Sequence, residues 1–174
     1  MKKLILSILL LQSFLAFGQR DSSAHLKSSG YGYLTMGGFL MKSGSVIYPS
    51  LGFGVRKDVA GIGAVFYYNK DYQLSMHADM RFFLSPNRNT SPFISLQPGA
   101  VIYNKSTQIG GIKIITKGGF AFNALAGFMS AGKKHLPGIY FAIGYGVYNI
   151  STSYGTNYSR YKNEGAIISV GIKI

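Results

Sequence analysis

A chain of 174 residues is long enough for one domain with its own core, and the absence of cysteine excludes a disulfide framework, a thiolate metal site and a thiol nucleophile. Eighteen Lys and Arg stand against five acids, Asp21, Asp58, Asp71, Asp79 and Glu164. Such a balance suits nucleic acid, an acidic membrane surface or plain solubility. The 23 Gly, 13 Tyr and 12 Phe, with no Trp, suit a tightly curved β architecture better than a helical one.

The N-terminus reads as a secretory signal peptide, residues 1–18. Lys2 and Lys3 form its basic region, Leu4 to Phe17 its apolar region, and Ala16-Phe17-Gly18 a small-residue cleavage site before Gln19. The apolar run is 14 residues, short of the roughly 20 that span a bilayer. No Cys follows the site, which excludes a lipoprotein signal. No other stretch is apolar enough for a membrane helix, so a mature chain that enters a membrane does so as a closed barrel. Residues 19–30, QRDSSAHLKSSG, form a polar leader.

From Tyr31 the sequence alternates, and eight strands are predicted over Tyr31–Ile174. They are Tyr31–Met41, Ser45–Arg56, Val59–Asn69, Tyr72–Leu84, Pro92–Tyr103, Gly118–Met129 (starting as early as Ile112), Gly138–Asn149 and Gly165–Ile174. Most exceed the roughly 5–6 residues of a soluble strand and match the roughly 9–11 of a tilted membrane strand. In the fourth, Leu74, Met76, Ala78, Met80 and Phe82 alternate with Gln73, Ser75, His77, Asp79 and Arg81. In the second, Ile47, Leu51, Phe53 and Val55 alternate with Tyr48, Ser50, Gly52, Gly54 and Arg56. One face of each strand is apolar and free of charge; a charge facing lipid at the midplane would cost about 2–4 kcal/mol. The other face mixes Gly, Ser, Tyr and a few charges, as a crowded eight-stranded interior requires. A soluble barrel would instead carry many Lys and Glu on its polar face.

This pattern predicts an all-β fold: an eight-stranded antiparallel up-and-down transmembrane barrel with polar residues inside. An even strand count puts both termini in the periplasm. Connections 42–44, 70–71, 104–117 and 150–164 then lie outside, and 57–58, 85–91 and 130–137 lie in the periplasm. Pro49 and Pro98 fall within strands, where proline usually marks a bulge. The apolar stretch Ile109–Thr116 reads as the sixth strand projecting beyond the membrane.

The signal ending at Gly18, the eight alternating strands and the terminal amphipathic strand together resemble the small eight-stranded outer-membrane barrels, the OmpA/OmpX-like and "outer membrane protein beta-barrel domain" proteins. The resemblance covers Tyr31–Ile174 and is one of pattern, without a diagnostic motif. It implies export by the Sec route, assembly by the machinery that inserts outer-membrane barrels, and residence in a bacterial outer membrane.

Candidate chemistry is sparse. Ser75, His77 and Asp79 share a face and invite a catalytic reading, but residues two apart on a strand lie about 6.6–7 Å apart. A polar network with Asp79 paired to Arg81 or another interior Arg is the plainer reading, because a charge in a narrow interior needs a partner. The interior polar set is thus Gln73, Ser75, His77, Asp79, Arg81 and Arg56. Three scattered His give no metal-ligand spacing, and no cofactor motif is present. Glycine pairs such as Gly52/Gly54, Gly61/Gly63 and Gly144/Gly146 read as small inward residues, since none opens a helix after a strand. The external connections carry Lys105, Lys113, Lys117, Arg160 and Lys162, with Tyr154, Tyr158 and Tyr161 interleaved. That composition can bind nucleic acid. On an outer surface, outer-membrane lipid and anionic lipopolysaccharide fit the same electrostatics. The expected role is structural or surface-interacting, through loops 104–117 and 150–164, with an interior too narrow for a general porin. The alternatives are a narrow route for a small or apolar solute and, last, a lipid A-modifying enzyme. The enzyme is disfavoured because no external loop carries a His.

Overall fold

The computed structural model describes residues 29–174 apart from 43, 70–72, 85–89, 103, 131–136 and 155–156. The signal peptide and most of the leader lie outside the described residues, as do Tyr72 and His135. Nine strands follow one another: β1 Ser29–Met41, β2 Gly44–Lys57, β3 Ala60–Asn69, β4 Gln73–Phe83, β5 Thr90–Ile102, β6 Asn104–Ile109, β7 Ile112–Ser130, β8 Gly138–Tyr154 and β9 Asn157–Lys173. Neighbours pair antiparallel around the ring, β9 pairs with β1, and β5 pairs with β7, which closes the sheet. β5 and β6 flank Tyr103 and pair with successive stretches of β7, so together they form a single stave and the barrel has eight. At the seam Ile174 N–H donates to the Gly32 carbonyl at 2.9 Å.

The faces follow the alternation. Leu34, Met36, Ile47, Phe53, Ile62 and Met76 are 46–70% exposed on the outside. A soluble monomer rarely shows such a belt. On β4 it runs from Leu74 to Leu84; ten steps of about 3.4 Å, tilted about 45°, give about 24 Å, close to the apolar band of a membrane barrel. The inside is filled by alternating large and small residues. A Cβ on Gly52 would lie 2.1 Å from Tyr33 Cζ, and one on Gly37 would lie 2.6 Å from the Tyr48 ring. Those glycines exist to admit tyrosines.

Two expectations are corrected. Residues 104–109 and, apart from 155–156, which lie outside the described residues, 150–164 are strand rather than loop, while the sixth predicted strand does project back to Ile112. Asn104–Ile109 pairs with Ile112–Lys117 around Gly110-Gly111, whose φ values of 57° and 80° suit a two-residue hairpin turn. β8 and β9 stay paired from Tyr154↔Asn157 downward. The two prolines mark no bulge either. Pro49 sits opposite Met36 in an unbroken β1–β2 register, above the first β2–β3 pair at Ser50↔Tyr67, where no partner needs its missing N–H. Pro98 lies where β4–β5 pairing lapses between His77↔Gly99 and Met80↔Leu96 without a shift. The bulge lies in β7, between Gly118 and Ala121.

The result is a lopsided barrel. β1 and β2 turn over near Met41, level with Gly165 on β9. β6–β9 continue beyond that level as a four-stranded sheet in which, among the described residues, neither β6 on one edge nor Asn157–Glu164 on the other has a strand partner. Both ends of the described chain lie at the opposite end of the barrel.

Candidate functional site

Two places concentrate polar chemistry: the middle of the barrel and the projecting sheet. In the middle, Asp79 and Arg81 project inward from β4 with no exposure to solvent. Asp79 accepts from Arg81 Nη2 at 2.5 Å, Ser95 Oγ at 2.5 Å, Tyr33 Oη at 3.0 Å and Gln97 Nε2 at 3.4 Å. The Arg81 guanidinium carbon lies 4.3 Å from the Phe93 ring centre, 4.7 Å from Tyr33, 5.1 Å from Tyr31 and 5.5 Å from Tyr140. Its Nη1 lies 3.1 Å from Met129 Sδ. Two charges that water cannot reach are held by each other, by three further donors and by four rings, while Arg81 Nε is buried without a hydrogen-bond partner among the described residues. This arrangement fills the lumen.

His77 stands one layer higher on β4. Its Nδ1 lies 2.9 Å from the Gln97 carbonyl oxygen, so Nδ1 carries the proton and donates. The lapse in pairing beside Pro98 frees that carbonyl. Nε2 is buried with no hydrogen-bond partner among the described residues. The ring packs edge-on against Tyr67 at 5.1 Å and Tyr148 at 6.0 Å. Asp79 therefore does not orient His77, and Ser75, His77 and Asp79 form no relay of the Ser-His-Asp kind. Ser75 instead lines an open cup above the plug with Phe39, Met41, Tyr48, Tyr67 and Tyr148.

Of the other interior candidates, Arg56 is not in this network. It is half-buried at the chain-terminal end, where Nε donates to the Asp58 carbonyl at 2.8 Å and the guanidinium covers the Phe83 ring at 4.2 Å. The Gln73 side chain lies outside the described residues. Sequence reading omitted Tyr33, Ser95, Gln97 and the ring cage. Their inward parity was visible, but which of eight staves meet across a lumen is not a local property.

The eight surface candidates all lie on the projecting sheet, divided between its faces. Counting in twos from outward-facing Ile168 puts Lys162, Arg160 and Tyr158 on the outward face. The register adds Lys117, opposite Ser151, and Lys113. Lys105, Tyr154 and Tyr161 fall on the inward face. Arg160 Nε donates to Tyr158 Oη at 3.2 Å; this bond, with help from Ser151 and Lys117, holds the exposed phenol below the usual tyrosine range. Lys162 pairs with Glu164 and holds that carboxylate below its usual range. Among the described residues no group of three or more His, Asp or Glu is placed to hold a metal ion.

No protein-family model matches the chain, and no curated protein matches it in sequence. Among solved structures the fold is similar to a crystal structure of Neisserial surface protein A (NspA), with a TM-score of 0.59 and 13% sequence identity, covering 85% of this chain and 98% of that one. At that identity the likeness speaks for the fold: this chain is a closed, eight-stave, all-β antiparallel barrel.

Proposed function

We propose that the protein is a bacterial outer-membrane barrel that does not conduct and works as a surface-interaction protein through its projecting sheet, which faces outward from the cell. The observation that carries this reading is the contrast between a lumen closed by Asp79, Arg81 and four aromatic rings and a sheet that leaves the barrel with edges unpaired among the described residues and with its own charges. Free strand edges are ready sites for contact with other chains. The partners on this reading are lipopolysaccharide and other outer-membrane lipid, with the barrel-assembly machinery for insertion and no nucleic acid. No catalysis is assigned, because His77 donates to a backbone carbonyl and Asp79 is committed to Arg81.

Planar-bilayer recording of the purified mature chain tests it. The expected result is no stable conductance. Steady channels would refute the closed lumen and favour the narrow-route reading, for which the cup above His77 is the relevant feature. A protease applied to intact cells should cut within 104–117 or 150–164; protection there with cleavage in broken cells would reverse the sidedness.

A further inference from the structure

The outward face of the projecting sheet holds a hollow lined by Arg160, with Lys117 and Lys162 beside it in register, at the level of a lipid headgroup. Register puts Lys117, Ser151 and Arg160 in one row across β7, β8 and β9. Neighbouring strands lie about 4.8 Å apart, so two long cationic side chains stand on either side of one small hydroxyl residue, with roughly 10 Å between their backbones. Lys162, opposite Asn149, closes the row below. The hollow is floored by Asn149, Ser151 and the β7 bulge at Gly118-Gly119. At Gly119 a Cβ would lie 2.9 Å from the Asn149 carbonyl oxygen, so only glycine lets the bulge lie this close to β8. Directly below is Phe120, 57% exposed on the lipid-facing side. Lys117 lies three residues beyond it, about 7 Å at a 45° tilt, within the roughly 5–8 Å that a headgroup layer adds to each side of the hydrocarbon.

The charges are sorted by face. Lys113, Lys117, Arg160 and Lys162 point outward over the bilayer surface, against one acid among the described residues, Glu164, which Lys162 already pairs. A soluble partner arriving from above would meet both faces and the tip alike; only a ligand standing in the membrane meets this face alone. We propose that Lys117, Arg160 and Lys162, with Ser151 between them, form a binding site for the phosphate of a lipid A-type glycolipid in the surrounding leaflet, its acyl chains lying along Phe120 and the apolar belt. Arg offers a fork of donors to phosphate oxygens, and Lys adds point charges. The site makes the lipopolysaccharide contact of the proposed function specific, and it rests on that reading only for which leaflet supplies the lipid.

The test is lipid titration of the mature chain in zwitterionic micelles, read by native mass spectrometry, with bisphosphorylated lipid A, dephosphorylated lipid A, phosphatidylethanolamine and inorganic phosphate as probes. Wild type should bind bisphosphorylated lipid A, and Lys117→Gln with Arg160→Gln should weaken it by about tenfold or more. Ser151→Glu keeps every cation and should weaken binding as much. Dephosphorylated lipid A should bind wild type no better than it binds the double variant. Lys105→Gln, on the other face, should change nothing. Unchanged affinity in the double variant, equal binding of dephosphorylated lipid or phosphatidylethanolamine, or displacement by inorganic phosphate alone would overturn the site. Unboiled gel mobility confirms that each variant is folded. If the double variant does not fold, Ser151→Glu and the dephosphorylated probe decide. Micelle binding is independent of sidedness, so its failure and a failure of the cell-surface protease result are separate events.

Discussion

Asp79→Ala removes one half of a charge pair that has no access to water. Arg81 would keep four rings and the Met129 sulfur but lose its only anion among the described residues. Ser95, Tyr33 and Gln97 would each lose an acceptor. Breaking a buried pair on one side costs about 3–5 kcal/mol, and the ring cage, where each desolvated cation–π contact contributes up to about 2 kcal/mol, places this variant at the lower end. Arg81→Met leaves a carboxylate with three neutral donors and no cation, and should cost about as much or more. The double variant removes both charges and leaves an apolar layer inside the cage. It should fall short of the summed single losses by at least about 2 kcal/mol, because each single variant strands a charge that the double does not. Denaturant titration in phospholipid vesicles, followed by the mobility of unboiled samples, measures all three. Losses that simply add, or an Asp79→Ala loss below about 1 kcal/mol, would refute a coupled plug and mean that the two residues are separately solvated.

Two further perturbations test the faces. Met76→Lys puts a charge on the lipid side of the same strand, 47% exposed, and should slow or block insertion into vesicles at a cost of about 2–4 kcal/mol; insertion as efficient as wild type would mean that this face does not meet hydrocarbon. Gly52→Val drives a side chain into Tyr33, which cannot retreat because it stacks on Tyr140 at 4.6 Å and bonds Asp79; the loss should exceed the roughly 1–3 kcal/mol of ordinary overpacking, and Tyr33→Ala in the same chain should restore folded gel mobility.

The strands and their faces were legible because a barrel repeats one local rule, a period of two, eight times. The inward Ser75, His77, Asp79 and Arg81 needed only that rule. The projecting sheet was harder to read. Ser151, Thr152 and Ser153 carry no apolar alternation, since beyond the closed ring neither face belongs to the apolar belt, so periodicity ended where pairing did not. Gly110-Gly111 was the available signal, a two-glycine hairpin turn inside a segment assigned to loop. Pro98 shows the opposite limit. Its missing N–H was correctly a disturbance, but whether the strand bulges or only loses a pair depends on the partner, and here the spare carbonyl of Gln97 is taken by His77.

A strongly basic chain need not be basic where it matters. Arg81 spends its charge on Asp79 and on rings that already surround it, so it adds nothing to the field outside the barrel. Arg56 is turned over Phe83 at the far end. Arg160 and Lys117 stand on the outward face without a carboxylate partner among the described residues, flanking a serine, and the field they make is already felt by Tyr158. The same residue type therefore plugs the lumen in one layer and stands exposed on an open sheet in another. What separates the two roles is whether the neighbouring staves close into a ring around the side chain or run on past the rim as an open sheet.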